Sequence, residues 1–381
     1  MNRFKISEKN RSEIPDNILI ERAILKEKLD SLKSGAPPLL KKYINYLYRN
    51  ESARSVNINT ALKYTREITS FLQALIDRGI ISVQSLSQIS PLEIDEICSE
   101  DIQDYIDSCG SYVHVNSNGE KVIYSNSPRT LSLKQTCIKG FFTWLYKNEY
   151  IEKNETEKLR KILTNDTHEV LTLTDEEVMA SLELSATGTC TIYGMDIGLS
   201  KKEMENFKNT RLRDHAILSM FIYHGLRISE LYHINMSSLE IEKGVFNIFR
   251  KRNKKKKMYF SNQSLKALEN YLENEKPKDG IRPGDEDALF LSSSRNGKDH
   301  SRLSIEQIRK IVKKYTTKVS RNPKISPHKL RATFATKSLE ITGNIYTVQQ
   351  TLDHSSTATT QKYLKDNEKA KKQMAEIITF E

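Results

Sequence analysis

Three short segments of the 381-residue chain place cations, imidazoles and a phenol where they could handle an anion. The first is Ser326-Pro327-His328-Lys329-Leu330-Arg331. Serine at the N-cap and proline in the first helical position start a helix, and Gly343 suits its C-terminal cap. Leu330, Phe334 and Ile341 then align as a stripe to be buried, while His328 and Arg331, three apart, share a neighbouring face. Such a pair at a helix N-terminus would bind an anion, because free backbone N–H groups and the helix dipole add to the side-chain charge. The plain alternative is a solvated basic turn. The second segment is Gly225-Leu226-Arg227-Ile228-Ser229-Glu230-Leu231. Glycine inside a helical pattern costs about 1 kcal/mol relative to alanine, so a helix break or close backbone packing is expected there. Arg227 lies among apolar neighbours, where an unpaired charge is expensive; its plain role is an ion pair with Glu230. The third is Leu352-Asp353-His354-Ser355-Ser356, with Tyr363 nine residues after His354. Asp353, Ser355 or Ser356 can cap a short helix carrying Thr359 to Leu364, on which packing is the ordinary role of a tyrosine.

These segments need elements to hold them. Thr174 is a plausible N-cap, with acids in the following turn, and opens the C-terminal half of the chain. Helical spacing runs from Leu212 to Ile234 with its interruption at Gly225, and again over Ser264 to Leu272 and Ser304 to Val319. Val245 to Phe260 reads as a β-hairpin whose strands VFNIF and KKMYF flank the basic RKRNKK. The N-terminal half is helical. After a polar leader over 1–36, Pro37-Pro38 opens a pattern in which Leu39, Leu40, Tyr43, Ile44 and Leu47 recur, and a second runs from Asn57 to Ile80. Ile102 to Ile106 is a shorter helix, His114 to Pro128 a hairpin, and Thr130 to Tyr150 a helix with Leu133, Cys137, Phe141, Trp144 and Leu145 on one face. Glu152 to Asp166 is highly charged and contains the interdomain linker.

Composition narrows the partner. Residues 201–381 carry 36 Lys and Arg against 21 Asp and Glu, a net of +15; residues 1–200 hold 24 and 28, a net of −4. A basic C-terminal half points to a polyanion, most commonly nucleic acid. Lys41, Lys42, Arg49, Lys63 and Arg66 are expected to gather on one face of the acidic half. No run of 18 apolar residues indicates a membrane span, and the N-terminus lacks the apolar core of a secretory signal. Cys98, Cys109, Cys137 and Cys190 form no C-x-x-C pair and read as reduced thiols of a cytoplasmic protein.

Taken together, the three segments give Arg, 100 intervening residues, His-x-x-Arg, 22 more, His, 8 more and Tyr. This order resembles the signature of the tyrosine recombinase/integrase family, carried here by GLRISEL, HKLRATFAT and LDHSSTATTQKYL. Within the family the chain looks most like the Xer-type recombinases, of the single-recombinase XerS kind, because of its long N-terminal half. The resemblance implies a mainly α, two-domain C-shaped clamp. Its parts are the leader 1–36, a helical core-binding (SAM-like) domain over 37–160, and a mixed α/β catalytic domain over 161–381 with a small antiparallel sheet. It also implies a catalytic lysine on the hairpin. An ungapped match puts that role on Lys251, although Lys254, Lys255, Lys256 and Lys257 crowd the same loop and could form a solvated turn or a phosphate-tracking finger. Two residues depart from the pattern. Asp353 stands where the family usually has glycine, and Ala332 where histidine often follows the second arginine. Asp353 puts an anion near the phosphate unless its carboxylate caps the following helix.

Under this resemblance the catalytic set is Arg227, Lys251, His328, Arg331, His354 and the nucleophile Tyr363. No carboxylates are spaced for two metals, and neither a metal nor another cofactor is implied. The partners implied are double-stranded DNA at specific sites and, at synapsis, a homotetramer in which each C-terminal helix packs on the next subunit. Ala370, Met374, Ile377 and Ile378 form an apolar face suited to that exchange, or to folding back on their own domain. Type IB topoisomerase-like relaxation and a non-catalytic architectural role are the alternatives. The expected setting is cytoplasmic and nucleoid-associated.

Overall fold

The computed structural model describes residues 14–49, 57–116, 118–164, 171–250, 254–293, 299–322 and 324–353. Lys251, His354, Tyr363 and the apolar C-terminal tail lie outside the described residues. The described chain is mainly helical with small antiparallel sheets, and it divides into two compact units, Asp16–His168 and the chain from Glu169 onward.

The first unit contains α1 (Asp16–Ser34), α2 (Pro38–Leu47), α3 (Ile58–Asp77), α4 (Pro91–Asp95) and α5 (Ser99–Ser108). The hairpin of β1 (Ser111–Val115) and β2 (Lys121–Ser125) then leads into α6 (Pro128–Lys147). Start signals fix the helices: Pro38 opens α2, the Asn57 side chain caps α3, and Ser127 followed by Pro128 opens α6. Leu39, Leu40, Tyr43 and Ile44 are buried with Phe71, Cys137, Phe141 and Leu145 in one core that also takes Leu29 of α1. The basic residues are only partly gathered. Lys63 and Arg66 line one shallow cavity with Lys28, whereas Lys41 donates to Ser34 O at 2.9 Å and Lys42 lies over the Tyr150 ring.

The second unit opens as the sequence indicates. Thr174 caps α7 (Asp175–Thr187) in a reciprocal box with Glu177. A hairpin absent from the sequence reading follows, β3 (Thr189–Ile192) and β4 (Met195–Gly198), and then α8 (Lys201–Phe207). α9 (Arg211–His224) is buried nearly all round through Ala216, Ile217, Leu218, Met220 and Phe221, as befits a central helix. It ends at Gly225, which adopts the left-handed conformation, and α10 (Ile228–Tyr232) restarts the chain in a new direction. Next, β5 (Leu239–Glu240), β6 (Val245–Phe249) and β7 (Lys255–Tyr259) form a three-stranded antiparallel sheet, with Ile248 opposite Lys256 and Phe249 opposite Lys255. α11 (Asn262–Asn274), α12 (Ile305–Val319), α13 (Pro327–Thr342) and α14 (Ile345–Leu352) complete the unit, and α7, α11, α12 and α13 all pack on α9.

On α13 the expected stripe needs correction. Leu330 is fully buried and Phe334 half-buried, but Ile341 is 74% exposed. In its earlier turns α13 also buries Ala332 and Ala335 against Val348 and Leu352 of α14, with Phe334 and Leu339 packed on the same cluster.

Candidate active site

Glu230 is the centre around which the cationic residues assemble. It occupies the first turn of α10 with only 3% exposure, and its carboxylate accepts from the backbone N–H of Arg227 at 2.8 Å. A buried carboxylate needs partners, and three guanidiniums supply them. Arg227 Nη1 lies 2.6 Å from Oε1, Arg250 Nε 3.4 Å from Oε1, and Arg331 Nη1 3.7 Å from Oε2. The ion pair that was the plain reading of Arg227 is therefore real, and it is one arm of a larger cluster.

Local backbone chemistry places each arm. The turn at Gly225 (φ +57) lets α9 stop and Arg227 begin α10. An alanine Cβ at 225 would fall 2.5 Å from Phe334 Cδ1 and 3.2 Å from Leu352 Cδ2, so the close approach as well as the conformation requires glycine. The Gly225 carbonyl accepts from Arg331 Nη1 at 2.7 Å, and Arg331 Nη2 donates to Leu352 O. Arg331 is thus buried at 2% exposure and joins α9, α13 and the end of α14. Arg227 is the more open of the two, with a side chain 32% exposed.

His328 stands in the first turn of α13, where Pro327 occupies the first position and the Ser326 carbonyl accepts from Lys329 and Leu330. The Ser326 side chain makes no cap hydrogen bond, so the proline and backbone alone start this helix. The imidazole keeps an exposed edge, yet its pKa is pushed below the ordinary 6.5. Desolvation contributes most, followed by the positive charges of Lys329, Arg331 and Arg227. A histidine held neutral beside two arginines is suited to accepting a proton near a bound anion.

α14 ends at Leu352 with Asp353 in the left-handed region (φ +53) as its cap. The Asp353 carboxylate is 52% exposed and lies 4.0 Å from Arg250 Nη1. An anion at this position is therefore met by a buried cation one residue before Lys251. The sequence reading missed Arg250 and treated Glu230 only as an ordinary ion-pair partner. The Arg-x-x-Glu spacing across the start of α10 was the available signal for Glu230; Arg250 was hidden in a basic run that reads as solvated. Among the described residues no three His, Cys, Asp or Glu side chains form a metal-binding group, and no helix is long and apolar enough to cross a membrane.

Residues 200–370 match the phage integrase family. The chain is 31% identical to a tyrosine recombinase XerC of Caldanaerobacter subterraneus subsp. tengcongensis, over 86% of this chain and 82% of that protein. It is 26% identical to a tyrosine recombinase XerS of Streptococcus agalactiae, over 90% and 96%. Its fold is that of the Tn1549 transposon integrase in complex with a circular intermediate DNA, at a TM-score of 0.58, 18% identity and coverage of 89% and 98%. The XerH site-specific recombinase bound to its difH substrate is also similar, at a TM-score of 0.53, 17% identity and coverage of 89% and 94%.

Proposed function

From a chain that belongs to the tyrosine recombinases of the phage integrase family and is Xer-like within it, we propose that DNA is cut and rejoined at specific sites through a covalent 3′-phosphotyrosine on Tyr363. The observation that carries this reading is the pairing of Arg227 and Arg331 with buried Glu230, with His328 close enough to feel the charge of both arginines. The two arginines come from segments about a hundred residues apart, and such an arrangement meets the demands of a phosphodiester in attack.

The phenolic oxygen of Tyr363 forms a bond to phosphorus, and its proton passes to His328. A phenol with a reference pKa near 10 needs that acceptor. Arg227 and Arg331 hold the non-bridging oxygens, where forked donors match phosphate geometry and stabilise the developing charge. His354 adds a further donor. The bond from phosphorus to the 5′ oxygen breaks, and Lys251 gives that oxygen its proton. The phosphotyrosine conserves the bond energy, so rejoining needs neither ATP nor a metal. Residues 37–160 serve as the core-binding domain and 161–381 as the catalytic domain. Both contact the duplex, and four copies exchange C-terminal helices at synapsis. The similarity to Xer proteins and to a transposon integrase favours chromosome-dimer resolution or element integration and excision, at the nucleoid.

The test is a duplex nicked near a candidate site, incubated with the protein in chelator and run on a denaturing gel. A covalent adduct that vanishes in Tyr363→Phe is expected. Tight DNA binding with no adduct on any candidate site would replace this reading with an architectural one. Exchange between two marked sites separates a recombinase from a topoisomerase.

A further inference from the structure

Two basic side chains of the hairpin reach across the second unit to the end of α14, and neither has a part in the chemistry above. Arg250, the residue after β6, donates through Nη2 to Thr351 O at 3.0 Å. Lys256, on β7, donates through Nζ to Gln350 O and, at 3.3 Å, to Thr351 O. Arg331 completes the row on Leu352 O. The carbonyls of 350, 351 and 352 end a helix, where the dipole favours cations; the Gln350 carbonyl also accepts from the cap N–H of Asp353 at 3.3 Å. Two of the three cations on them belong to the hairpin.

Arg250 is more than a surface clamp. Its side chain is 2% exposed, and its Nε and Nη1 have no hydrogen-bond partner among the described residues, although Glu230 and Asp353 face them at 3.4 and 4.0 Å. The hairpin does not need this buried charge for its own closure. The ladder already pairs Phe249 with Lys255, and the Arg250 N–H donates to Lys254 O at 3.0 Å. What the side chain adds is a tie between the hairpin and α14. Arg250 adjoins Lys251, and a single residue separates Leu352 from His354.

We propose that Arg250 and Lys256 are positioning residues that brace the hairpin against the end of α14, so that the leaving-group acid is presented in register with the segment beginning at His354. The proposal rests on the reading of Lys251 as that acid. Loosening the brace slows the step that needs the proton and spares the attack by Tyr363.

The experiment uses the full chain and two nicked duplexes that differ in one atom, the natural 5′ oxygen or a 5′ sulfur at the scissile phosphate. A thiolate is a far weaker base than an alkoxide and departs without a proton. Lys256→Met is expected to cleave the oxygen duplex about tenfold or more slowly, but the sulfur duplex within about twofold of the parent protein. Lys256→Arg, which keeps a donor to the α14 carbonyls, regains most of the rate. Lys251→Met falls further than Lys256→Met on oxygen, and the double variant falls no further than Lys251→Met, because both act on one step. Equal slowing on both duplexes, or no slowing on either, overturns the brace. So does an unimpaired Lys251→Met, which makes Lys256 itself the acid. No adduct from the parent protein on either duplex removes the proposed reaction and the brace with it, a result distinct from failure of the brace alone.

Discussion

Glu230 faces guanidiniums at 2.6, 3.4 and 3.7 Å with 3% of its side chain exposed, so one carboxylate holds three cations together where the dielectric screens little. Glu230→Gln keeps the shape and removes the charge. Because breaking a buried pair costs about 3–5 kcal/mol, we expect a lower urea midpoint, and cleavage reduced beyond what the unfolded fraction explains; Glu230→Asp should recover part of both. An unchanged midpoint in Glu230→Gln would mean that the arginines do not depend on this carboxylate. His328 makes a second prediction. Its pKa lies below 6.5 because desolvation and then Lys329, Arg331 and Arg227 oppose its protonation. A base works in its neutral form, so the cleavage rate at sub-saturating DNA, which reports the free protein, should be flat above pH 6.5. Below its depressed pKa the rate should fall about tenfold per unit, and that limb should be missing in His328→Gln. A limb centred above 6.5 would show that burial and the neighbouring cations do not lower the His328 pKa.

Elements were legible in the sequence where a cap and a period agreed, and less so where one was missing. The Thr174 cap and the Gly343 stop stand where the sequence puts them, and the patterns beginning at Asn57 and Ser304 start at residues that the structure shows as caps. The β3–β4 hairpin escaped because its strands have four residues each and its turn is Tyr193-Gly194, with Tyr193 itself at φ +52, in place of an Asn-Gly or Asp-Gly signal. The exposure of Ile341 shows that periodicity gives the face of a helix but not how far along it the burial extends. Arg250 and Lys256 meet carbonyls 101 and 94 residues away, a pairing that no local pattern encodes. Gly225 was read correctly as a break, and the structure adds its second reason, the ring of Phe334. This gives a paired prediction. Gly343→Ala, at φ +62 with nothing within 4 Å of the new Cβ, should lose only the left-handed penalty of about 1 kcal/mol. Gly225→Ala meets the same penalty plus overpacking of about 1–3 kcal/mol, and it displaces the carbonyl that holds Arg331. Urea denaturation should rank Gly225→Ala as clearly the worse, and cleavage should fall only there. Equal losses would remove the Phe334 contact as the constraint.

Charge is divided unevenly across the whole molecule. Residues 201–381 carry a net +15 and residues 1–200 a net −4, so the proposed binding of DNA is expected to draw most of its phosphate contacts from the C-terminal half. Within it the hairpin lysines are not equivalent. Lys256 is half-buried and spends its donors on α14, whereas Lys254, Lys255 and Lys257 are exposed. A phosphate-tracking finger and a solvated turn differ in counterion release. Each phosphate neutralised contributes about 0.9 to the slope of log affinity against log salt on duplex DNA. If the three exposed lysines track the backbone, changing all of them to alanine should make that slope shallower by about 2 to 3. Affinity should weaken uniformly across sequences, and the cleavage rate at saturating DNA should persist. Lys256→Met should barely move the slope, since its charge is already committed inside the protein, although it slows cleavage. A slope unchanged by the triple substitution would return the basic run to a solvated turn and leave phosphate contact to the rest of the C-terminal half.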